Sequence, residues 1–369
     1  MGTKSMILYQ PLYIDDGIDN NSGTIVRPIQ MIKAFESIGY EVIYITGSTK
    51  ERTEKVKKVL DCKRPAFMYI ESANIPMTLS NKNHFPLAPF ADIRNIKYVS
   101  KLMKVGFFYR DIYWQFPSYS SEVGVVRSFF LKLLFVLEYK ALKRIADYIF
   151  VPCLTFAERL PRSKGKAVFY PLPGGCDEKV SSKFNQNVSS LNILYSGNIS
   201  FDEYNIEGLL EIVEKLNTYP INLSINTNEK AFNLCYPHWS VLHKLIDSKI
   251  VTIIYSGYSE TDQIKSIHNV AIIYNRIPDT ILPVYMPLKL FHYIAMDLPI
   301  IAKKNSGYGE FIEEHNIGWT FNNDEELETL LAHLSLNLSE VREVALNVKK
   351  VREQNTWKER AKTVERLLR

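Results

Sequence analysis

The chain has 369 residues, of which 46% are hydrophobic and 23% charged, and its formal net charge is +5. This length predicts two domains, and this composition excludes an intrinsically disordered chain. No uninterrupted apolar run reaches the ~18 residues that a membrane span requires. The four cysteines form no Cys-x-x-Cys pair, which argues against a zinc knuckle or a disulfide framework. No secretory signal core is visible either, so a cytoplasmic location is expected.

Charge is unevenly distributed along the chain. Residues 1–185 carry 27 Lys and Arg against 17 Asp and Glu, a net charge of +10, and residues 186–369 carry a net charge of −5. A basic half predicts an anionic partner, such as a membrane surface or a phosphate-bearing substrate. The alternative is a solvated basic surface that has no partner.

The first half alternates between strands and helices. A strand at Ser5–Tyr9 is followed by a polar loop at Asp15–Gly23, a helix at Thr24–Ile38 and a strand at Glu41–Ile45. This is a βαβ unit, which builds a parallel sheet. Three more strands are predicted in this half, at Phe67–Ile70, Val105–Tyr109 and Tyr148–Val151. A long helix is predicted at Arg127–Ala146.

The same pattern restarts after a segment rich in Pro and Gly. Phe169–Asp177 and the polar run Lys179–Ser190 after it are predicted to form the linker between the domains. Strands are then predicted at Leu191–Tyr195, Ile221–Asn226, Val251–Tyr255, Val270–Tyr274 and Ile300–Ala302. Helices are predicted at Ile206–Leu216 and Val284–Ala295, and Asp324–Arg369 is mostly helical. We therefore predict an α/β protein with two Rossmann-like, doubly wound domains that face a cleft, at 1–178 and 190–345. A C-terminal helix at 346–369 is predicted to pack back toward the first domain.

Two segments of the first half are candidates for chemistry. The loop Asp15–Gly23 follows the first strand, where its carboxylates suit sugar hydroxyls or a catalytic base, so Asp15 and Asp16 are candidate catalytic residues. Gly23 and Arg27, at the start of the next helix, are candidate contacts to an acceptor. The alternative for this loop is a polar turn.

The second segment is Phe107–Trp114, where Arg110 and Asp111 follow a strand among aromatic residues. Asp111 is the first candidate for a general base, and Arg110 and Trp114 are candidate acceptor contacts. The alternative is a structural Arg–Asp pair in an aromatic core.

In the second half, Gly197 and Asn198 follow a strand, where a glycine lets the backbone approach a phosphate. Tyr258 is a candidate for stacking on a base, and a surface tyrosine is the alternative. Lys289 lies near the start of an otherwise apolar helix, where the helix dipole favours an anion such as a diphosphate. His292 follows on roughly the same face.

The segment 287–302 resembles the nucleotide-sugar segment of GT-B fold glycosyltransferases, which commonly reads Pro-x-Lys-Leu-x-Glu-Tyr-x-Ala-x-Gly-x-Pro before an apolar strand. The positions that match are Pro287, Lys289, Leu290, Tyr293, Ala295 and Pro299. Segments 110–114, 141–160, 169–177, 191–199 and 306–319 resemble further family motifs in the expected order, among them a motif of bacterial enzymes that build surface polysaccharides.

The resemblance implies a hexosyltransferase-like enzyme that moves a sugar from a nucleotide-diphosphate sugar to a hydroxyl of a glycan or lipid-linked acceptor in polysaccharide or glycoconjugate synthesis. It implies no metal and no further cofactor, no nucleic-acid partner, and peripheral contact with the inner face of a membrane. The helix Arg127–Ala146 is a candidate for that contact, and the favoured alternative is a core helix of the first domain. It also places Ser306, Gly307 and Glu310 in the donor site.

The sequence departs from the family at two acidic positions. His292 stands where the pattern has glutamate, and Val284 stands where many retaining members have a second glutamate eight residues earlier. Their loss puts a retaining mechanism in doubt and keeps two other functions open. One is a nucleotide-sugar epimerase, which His84, His238 or His292 would serve, and the other is a non-catalytic nucleotide-binding partner.

Overall fold

A computed structural model describes residues 4–12, 23–86, 88–177, 189–255 and 267–369 of the chain. The contacts within it divide the chain into two compact units. The first unit is Met1–Gly174 together with Trp357–Arg369, and the second is Gly175–Thr356. Each unit contains one six-stranded parallel sheet with helices, so the predicted fold class of two Rossmann-like domains is confirmed.

The first sheet has the order β2-β1-β3-β4-β5-β6, and every neighbouring pair is parallel. Its strands are β1 (Lys4–Tyr9), β2 (Tyr40–Ile45), β3 (Phe67–Glu71), β4 (Lys104–Phe108), β5 (Tyr148–Val151) and β6 (Val168–Pro171). The connecting helices are α1 (Gly23–Ser37), α2 (Thr49–Cys62), α3 (Ala91–Val99), α4 (Pro117–Val123), α5 (Val125–Ile145) and α6 (Leu154–Arg159). The direction of strand succession reverses between β1 and β3. Open parallel sheets bind ligands beyond the carboxyl ends of the strands at such a reversal.

The second sheet has the order β12-β11-β10-β7-β8-β9 and is also parallel throughout. Its strands are β7 (Leu191–Ser196), β8 (Ile221–Asn226), β9 (Val251–Ile254), β10 (Val270–Ile273), β11 (Ile300–Lys303) and β12 (Gly318–Phe321). Its helices are α7 (Glu207–Lys215), α8 (Glu229–Cys235), α9 (Ser240–Asp247), α10 (Leu288–Ala295), α11 (Gly307–His315), α12 (Asp324–Leu336) and α13 (Leu338–Gln354). Here the reversal lies between β7 and β10, which makes their carboxyl ends the expected ligand position.

The last helix, α14 (Trp357–Leu368), belongs to the first unit. Val364 and Leu368 on this helix are fully buried. A Cβ added at Gly106 on β4 would come within 2.8 Å of the Leu368 side chain, so this close packing of helix on strand requires a glycine.

Several predicted boundaries need correction. The first residues of the predicted linker Phe169–Asp177 form most of β6, and the two units meet in the chain at Gly174 and Gly175. Residues 346–356 lie in the second unit, so only α14, not the whole of 346–369, returns to the first. The helix predicted from Val284 begins at Leu288, because Pro287 disfavours helical backbone at the residue before it.

Candidate active site

The carboxyl ends of β7 and β10 are held to α10 by one tyrosine. The Tyr293 hydroxyl accepts a hydrogen bond from the Ser196 backbone N–H at 2.7 Å. It also lies 3.3 Å from the Ser196 carbonyl and 3.2 Å from the Ile272 carbonyl, which are acceptors for its proton. Because one side chain contacts both strands at the reversal, the start of α10 has a fixed position beside the expected ligand site.

Lys289 extends from the first turn of α10 toward the loop after β7. Its Nζ lies 3.0 Å from the position that a Cβ at Gly197 would occupy, so a larger residue there would displace the ammonium. Gly197 has a φ of +142°, a backbone conformation that suits glycine. The Nζ also lies 5.1 Å from the ring centre of Tyr195 and 5.5 Å from that of Tyr204. Aromatic rings and a glycine therefore form the walls around this charge.

The Lys289 ammonium is buried and has no hydrogen-bond partner among the residues that the structure describes. Burial lowers the pKa of Lys289 to about 8. A buried charge is costly unless an ion of opposite sign pairs with it. The N-cap residue of α10, Pro287, provides no side-chain cap, so the first-turn N–H groups add to the positive potential. The arrangement is suited to an anion such as a diphosphate.

His292 lies one turn further along α10 and is buried. Burial lowers the pKa of His292 to about 4, so the imidazole is neutral at pH 7 and adds no charge to the site. Val284 is buried in a 3₁₀ turn at Leu282–Val284, so neither position of the missing glutamate pair carries a carboxylate. The role of His292 in donor binding stays a prediction.

Asp297, just after α10, stands where the family pattern has glycine. Its φ is +54°, in the left-handed region, which Asp and Asn tolerate better than most residues. Its Oδ2 accepts a hydrogen bond from Arg352 on α13 at 3.1 Å. The departure from glycine is therefore compatible with the turn that the pattern requires.

The other predicted donor contacts lie after β7 and at the start of α11. The Ser306 hydroxyl caps α11, since it accepts from the Gly309 N–H at 2.9 Å and donates to the Lys303 carbonyl at 2.7 Å. Asn198 is exposed, and its carbonyl accepts from the Tyr195 hydroxyl at 2.7 Å. Gly307 and Glu310 lie in the first turn of α11, with Gly307 buried and Glu310 exposed. The hydroxyl of Ser306 thus positions α11 and has both its hydrogen-bonding roles filled.

In the first unit, a buried carboxylate lies between two arginines. Glu71, the last residue of β3, is fully buried and accepts from Arg27 Nε at 3.0 Å and from Arg110 Nη2 at 3.5 Å. The Tyr69 hydroxyl donates to the same carboxylate at 2.7 Å. The sequence analysis does not include Glu71 among the candidate residues, although a charged residue at the carboxyl end of an apolar strand is a signal for a functional or structural ion pair.

Arg27 is held within the first unit by further contacts. Its guanidinium also donates to the carbonyls of Leu172 and Pro173 and lies 3.6 Å from the ring centre of Phe108. The side chain is 4% exposed. Its donors are used within the unit, and the acceptor contact of Arg27 stays a prediction. Arg110 is less buried, at 13% exposed, and its Nε has no partner within the described residues.

Asp111 follows β4 and lines a cavity of about 30 Å³ together with Tyr109 and Glu138. Burial raises the pKa of Asp111 to about 6, although Arg110 and the Tyr113 N–H both favour the ionised form. Glu138 on α5 was not predicted. Its carboxylate accepts from the backbone N–H groups of Met77 and Thr78 at 2.8 and 2.9 Å, and burial raises its pKa to about 7.

Trp114 is 4% exposed and stacks on Phe135, with ring centres 5.4 Å apart. Its burial and stacking agree with the aromatic-core alternative, and the acceptor contact of Trp114 stays a prediction. Gly23 begins α1. The predicted residues Asp15, Asp16 and Tyr258 lie outside the described residues.

The histidines proposed for an epimerase have separate local environments. His238 packs edge-on against Phe201 with ring centres 5.4 Å apart, and His292 lies beside Tyr293. His84 is exposed in the first unit, where its Nδ1 lies 3.1 Å from the Leu79 carbonyl. Within the described part of the chain, no three His, Cys, Asp or Glu side chains form a group suited to a metal ion.

Comparison with known proteins identifies the architecture. Residues 281–359 match a family model described as glucosyltransferase 3-like, C-terminal domain. HepE from Anabaena, solved with UDP and glucose, aligns over 98% of each chain with a TM-score of 0.62 and 12% identity. The chain has the GT-B fold. The resemblance to GT-B glycosyltransferases that the sequence motifs indicated is confirmed.

Two further GT-B structures align as completely. A glycosyltransferase from Rickettsia africae shares 15% identity and a TM-score of 0.62, over 99% of this chain and 98% of that one. WaaG, a glycosyltransferase involved in lipopolysaccharide biosynthesis, shares 12% identity and a TM-score of 0.59, over 98% and 99%. No curated protein sequence matches the chain. The matched family segment includes α10 and Lys289.

The unpaired state of Lys289 predicts a gain in stability when its charge is removed. A pKa lowered from 10.5 to about 8 corresponds to roughly 3 kcal/mol, at about 1.4 kcal/mol per pKa unit. Lys289→Met should therefore raise the free energy of unfolding of the ligand-free protein at pH 7 by up to this amount. Between pH 8 and 10.5 the unfolded state binds more protons than the folded state, so wild-type stability rises and the gain should shrink.

Urea unfolding from pH 7 to 10.5 measures this difference. Lys304→Met, at an exposed lysine of the same unit, serves as the control and should change stability by less than about 0.5 kcal/mol. A Lys289→Met protein that is less stable than wild type at pH 7 contradicts the assignment of an uncompensated charge.

Proposed function

We propose that the protein is a glycosyltransferase that moves a sugar from a nucleotide-diphosphate sugar to a hydroxyl of a glycan or lipid-linked acceptor in surface polysaccharide or glycoconjugate synthesis. The observation that carries the proposal is the buried, unpartnered ammonium of Lys289 at the carboxyl ends of β7 and β10. The family model over residues 281–359 and the UDP complex of HepE support the same donor class. We further propose that the sugar transferred is a hexose and that the protein works at the cytoplasmic face of a membrane.

Lys289 would act on the diphosphate. The donor's phosphates bring the negative charge that the ammonium lacks, so binding replaces an uncompensated buried charge by an ion pair. When the bond from sugar to phosphate breaks, charge develops on the leaving diphosphate. A positive group already fixed beside it stabilises that charge without reorganisation. Lys289 and the first turn of α10 thus supply the positive charge, and we propose that no metal is required.

Asp111 is the first candidate for the base, with Asp15 and Asp16 next. A carboxylate with a pKa of about 6 is largely ionised at pH 7 and can accept a proton from an acceptor hydroxyl. As that proton moves to Asp111, the acceptor oxygen attacks the anomeric carbon and the nucleoside diphosphate leaves. This direct displacement inverts the anomeric configuration, in keeping with the missing glutamates at positions 284 and 292.

A turnover assay with a panel of UDP-, GDP-, ADP- and TDP-sugars, with and without glycan and lipid-linked acceptors, tests the activity. We expect free nucleoside diphosphate to appear only when an acceptor is present, at a rate that EDTA leaves unchanged. Isomerised sugar without acceptor indicates an epimerase. Nucleotide binding without any turnover across the panel indicates a non-catalytic partner, and either result overturns the proposal.

Removing the ammonium should weaken nucleotide binding. Lys289→Met is expected to reduce the affinity for the best-binding nucleoside diphosphate by ~1.5–3 kcal/mol, or roughly 10- to 150-fold, the range for a hydrogen bond to a charged group. In wild type the affinity should also fall as pH rises above about 8, because free Lys289 then loses its proton. Titration calorimetry from pH 7 to 9.5 measures both effects, and Lys304→Met is the control. Equal affinities for all three proteins remove Lys289 from the site.

The base assignment makes a separate prediction. Asp111→Asn should abolish transfer and leave the affinity for the nucleoside diphosphate unchanged. In wild type, kcat/KM should rise with pH through about 6, because only ionised Asp111 accepts a proton. Asp61→Asn, at an exposed aspartate of the same unit, should retain full activity. Transfer by Asp111→Asn at the wild-type rate assigns the base to another residue.

A further inference from the structure

The ammonium of Lys289 is out of reach of solvent in this arrangement of the second unit. Its Nζ is buried and has no hydrogen-bond partner among the described residues, whereas the residue as a whole is half-buried. Other atoms of this side chain therefore contact solvent while the nitrogen points inward. A phosphate oxygen pairs with an ammonium at about 2.8 Å, so a group beside the nitrogen must move before a diphosphate can bind to it.

Two tyrosine rings lie close to the nitrogen. The Lys289 Nζ is 5.1 Å from the ring centre of Tyr195 and 5.5 Å from that of Tyr204. Both distances are within the ~6 Å over which an aromatic face attracts a cation. The rings thus give the ammonium a weak substitute for a counter-ion, and both are candidates for the group that moves.

Tyr195 is fixed in the core of the unit. It belongs to β7 and is fully buried. Its hydroxyl donates a hydrogen bond to the Asn198 carbonyl at 2.7 Å. Moving this ring would break that bond and open the centre of the sheet, so Tyr195 is a permanent wall of the site.

Tyr204 is held much less firmly. Its residue is half-buried, and its hydroxyl lies 3.5 Å from the Tyr285 hydroxyl, at the outer limit of a hydrogen bond. The turn that carries it is closed by backbone bonds, from the Ser200 N–H to the Tyr204 carbonyl at 3.2 Å and from the Asn205 N–H to the Asp202 carbonyl at 3.1 Å. Because these bonds do not involve the ring, the side chain can rotate while the turn stays intact.

We propose that Tyr204 is a movable cover of Lys289, and that the diphosphate of the donor displaces its ring to reach the ammonium. The identity of this ligand rests on the proposed function. A ring offers the ammonium a cation–π contact, whereas a phosphate forms an ion pair with it, so the exchange favours an anionic ligand. A neutral ligand makes no such gain. Tyr204 therefore regulates access to the site according to the charge of the ligand.

The alternative is that Lys289 itself swings outward and Tyr204 stays in place. The ammonium would then leave Gly197 and the first turn of α10, whose free N–H groups add to the positive potential at the site. A phosphate that followed it outward would lose these groups. Rotation of Tyr204 keeps the ammonium and the helix end together, which is why the cover is the better account.

Acylation of Lys289 tests the cover without any nucleotide. Traces of acetic anhydride from pH 7 to 10.5, with mass spectrometry of each lysine, give the rate constant of each free amine. In wild type this constant should be roughly tenfold or more lower at Lys289 than at exposed Lys304, because a minor open state is typically populated to ~10% or less. Tyr204→Ala should bring Lys289 close to Lys304.

Binding of UDP, GDP, ADP and TDP tests the displacement. In stopped-flow experiments, Tyr204→Ala should raise the association rate constant of the best-binding nucleotide roughly tenfold or more, because no covered state competes with binding. Tyr204→Phe keeps the ring and should behave as wild type does in both experiments. Tyr219→Ala, at an exposed tyrosine of the same unit, is the control for loss of a ring. Urea unfolding of every variant shows that each one is folded.

Two results overturn the cover. One is a wild-type Lys289 whose free amine is acylated as fast as that of Lys304, which means that the lysine reaches solvent unaided. The other is a Tyr204→Ala protein in which Lys289 is acylated as slowly as in wild type. If the acylation contrast appears but neither wild type nor Tyr204→Ala binds a nucleoside diphosphate, the proposed donor site is wrong and the displacement by a diphosphate is wrong with it.

Discussion

The buried ammonium of Lys289 is the constraint that organises the site in the second unit. It has no partner among the described residues, and burial lowers its pKa to about 8. A charge in this position destabilises the ligand-free unit, and the diphosphate that we propose as its ligand would complete the ion pair. Gly197 and Tyr293 both help to hold the ammonium in this position. Gly197 leaves room for the ammonium, and Tyr293 fixes the start of α10 against both strands.

In the first unit, by contrast, the buried charge at the carboxyl end of the sheet has partners within the unit. Glu71 is fully buried, and Arg27 and Arg110 neutralise it within the unit. Two arginines around one carboxylate leave a net positive charge, yet Arg27 is held by backbone carbonyls and by Phe108. Arg27 thus stabilises the ends of β3 and β4. Arg110 and Asp111 remain the side chains of this region with capacity for further contacts.

The sequence by itself determined the fold class and the position of Lys289. The alternation of strands and helices depends on local periodicity, and the spacing from Pro287 to Pro299 is a local pattern. Both features can therefore be predicted from the sequence alone. The tertiary structure alone decided the state of each side chain. It placed Arg27 and Trp114 among the buried side chains, revealed Glu71 and Glu138, and left the Lys289 ammonium without a hydrogen-bond partner among the described residues. Burial and pairing depend on residues distant in the chain, such as Glu71 for Arg27, and local patterns carry no information about such partners.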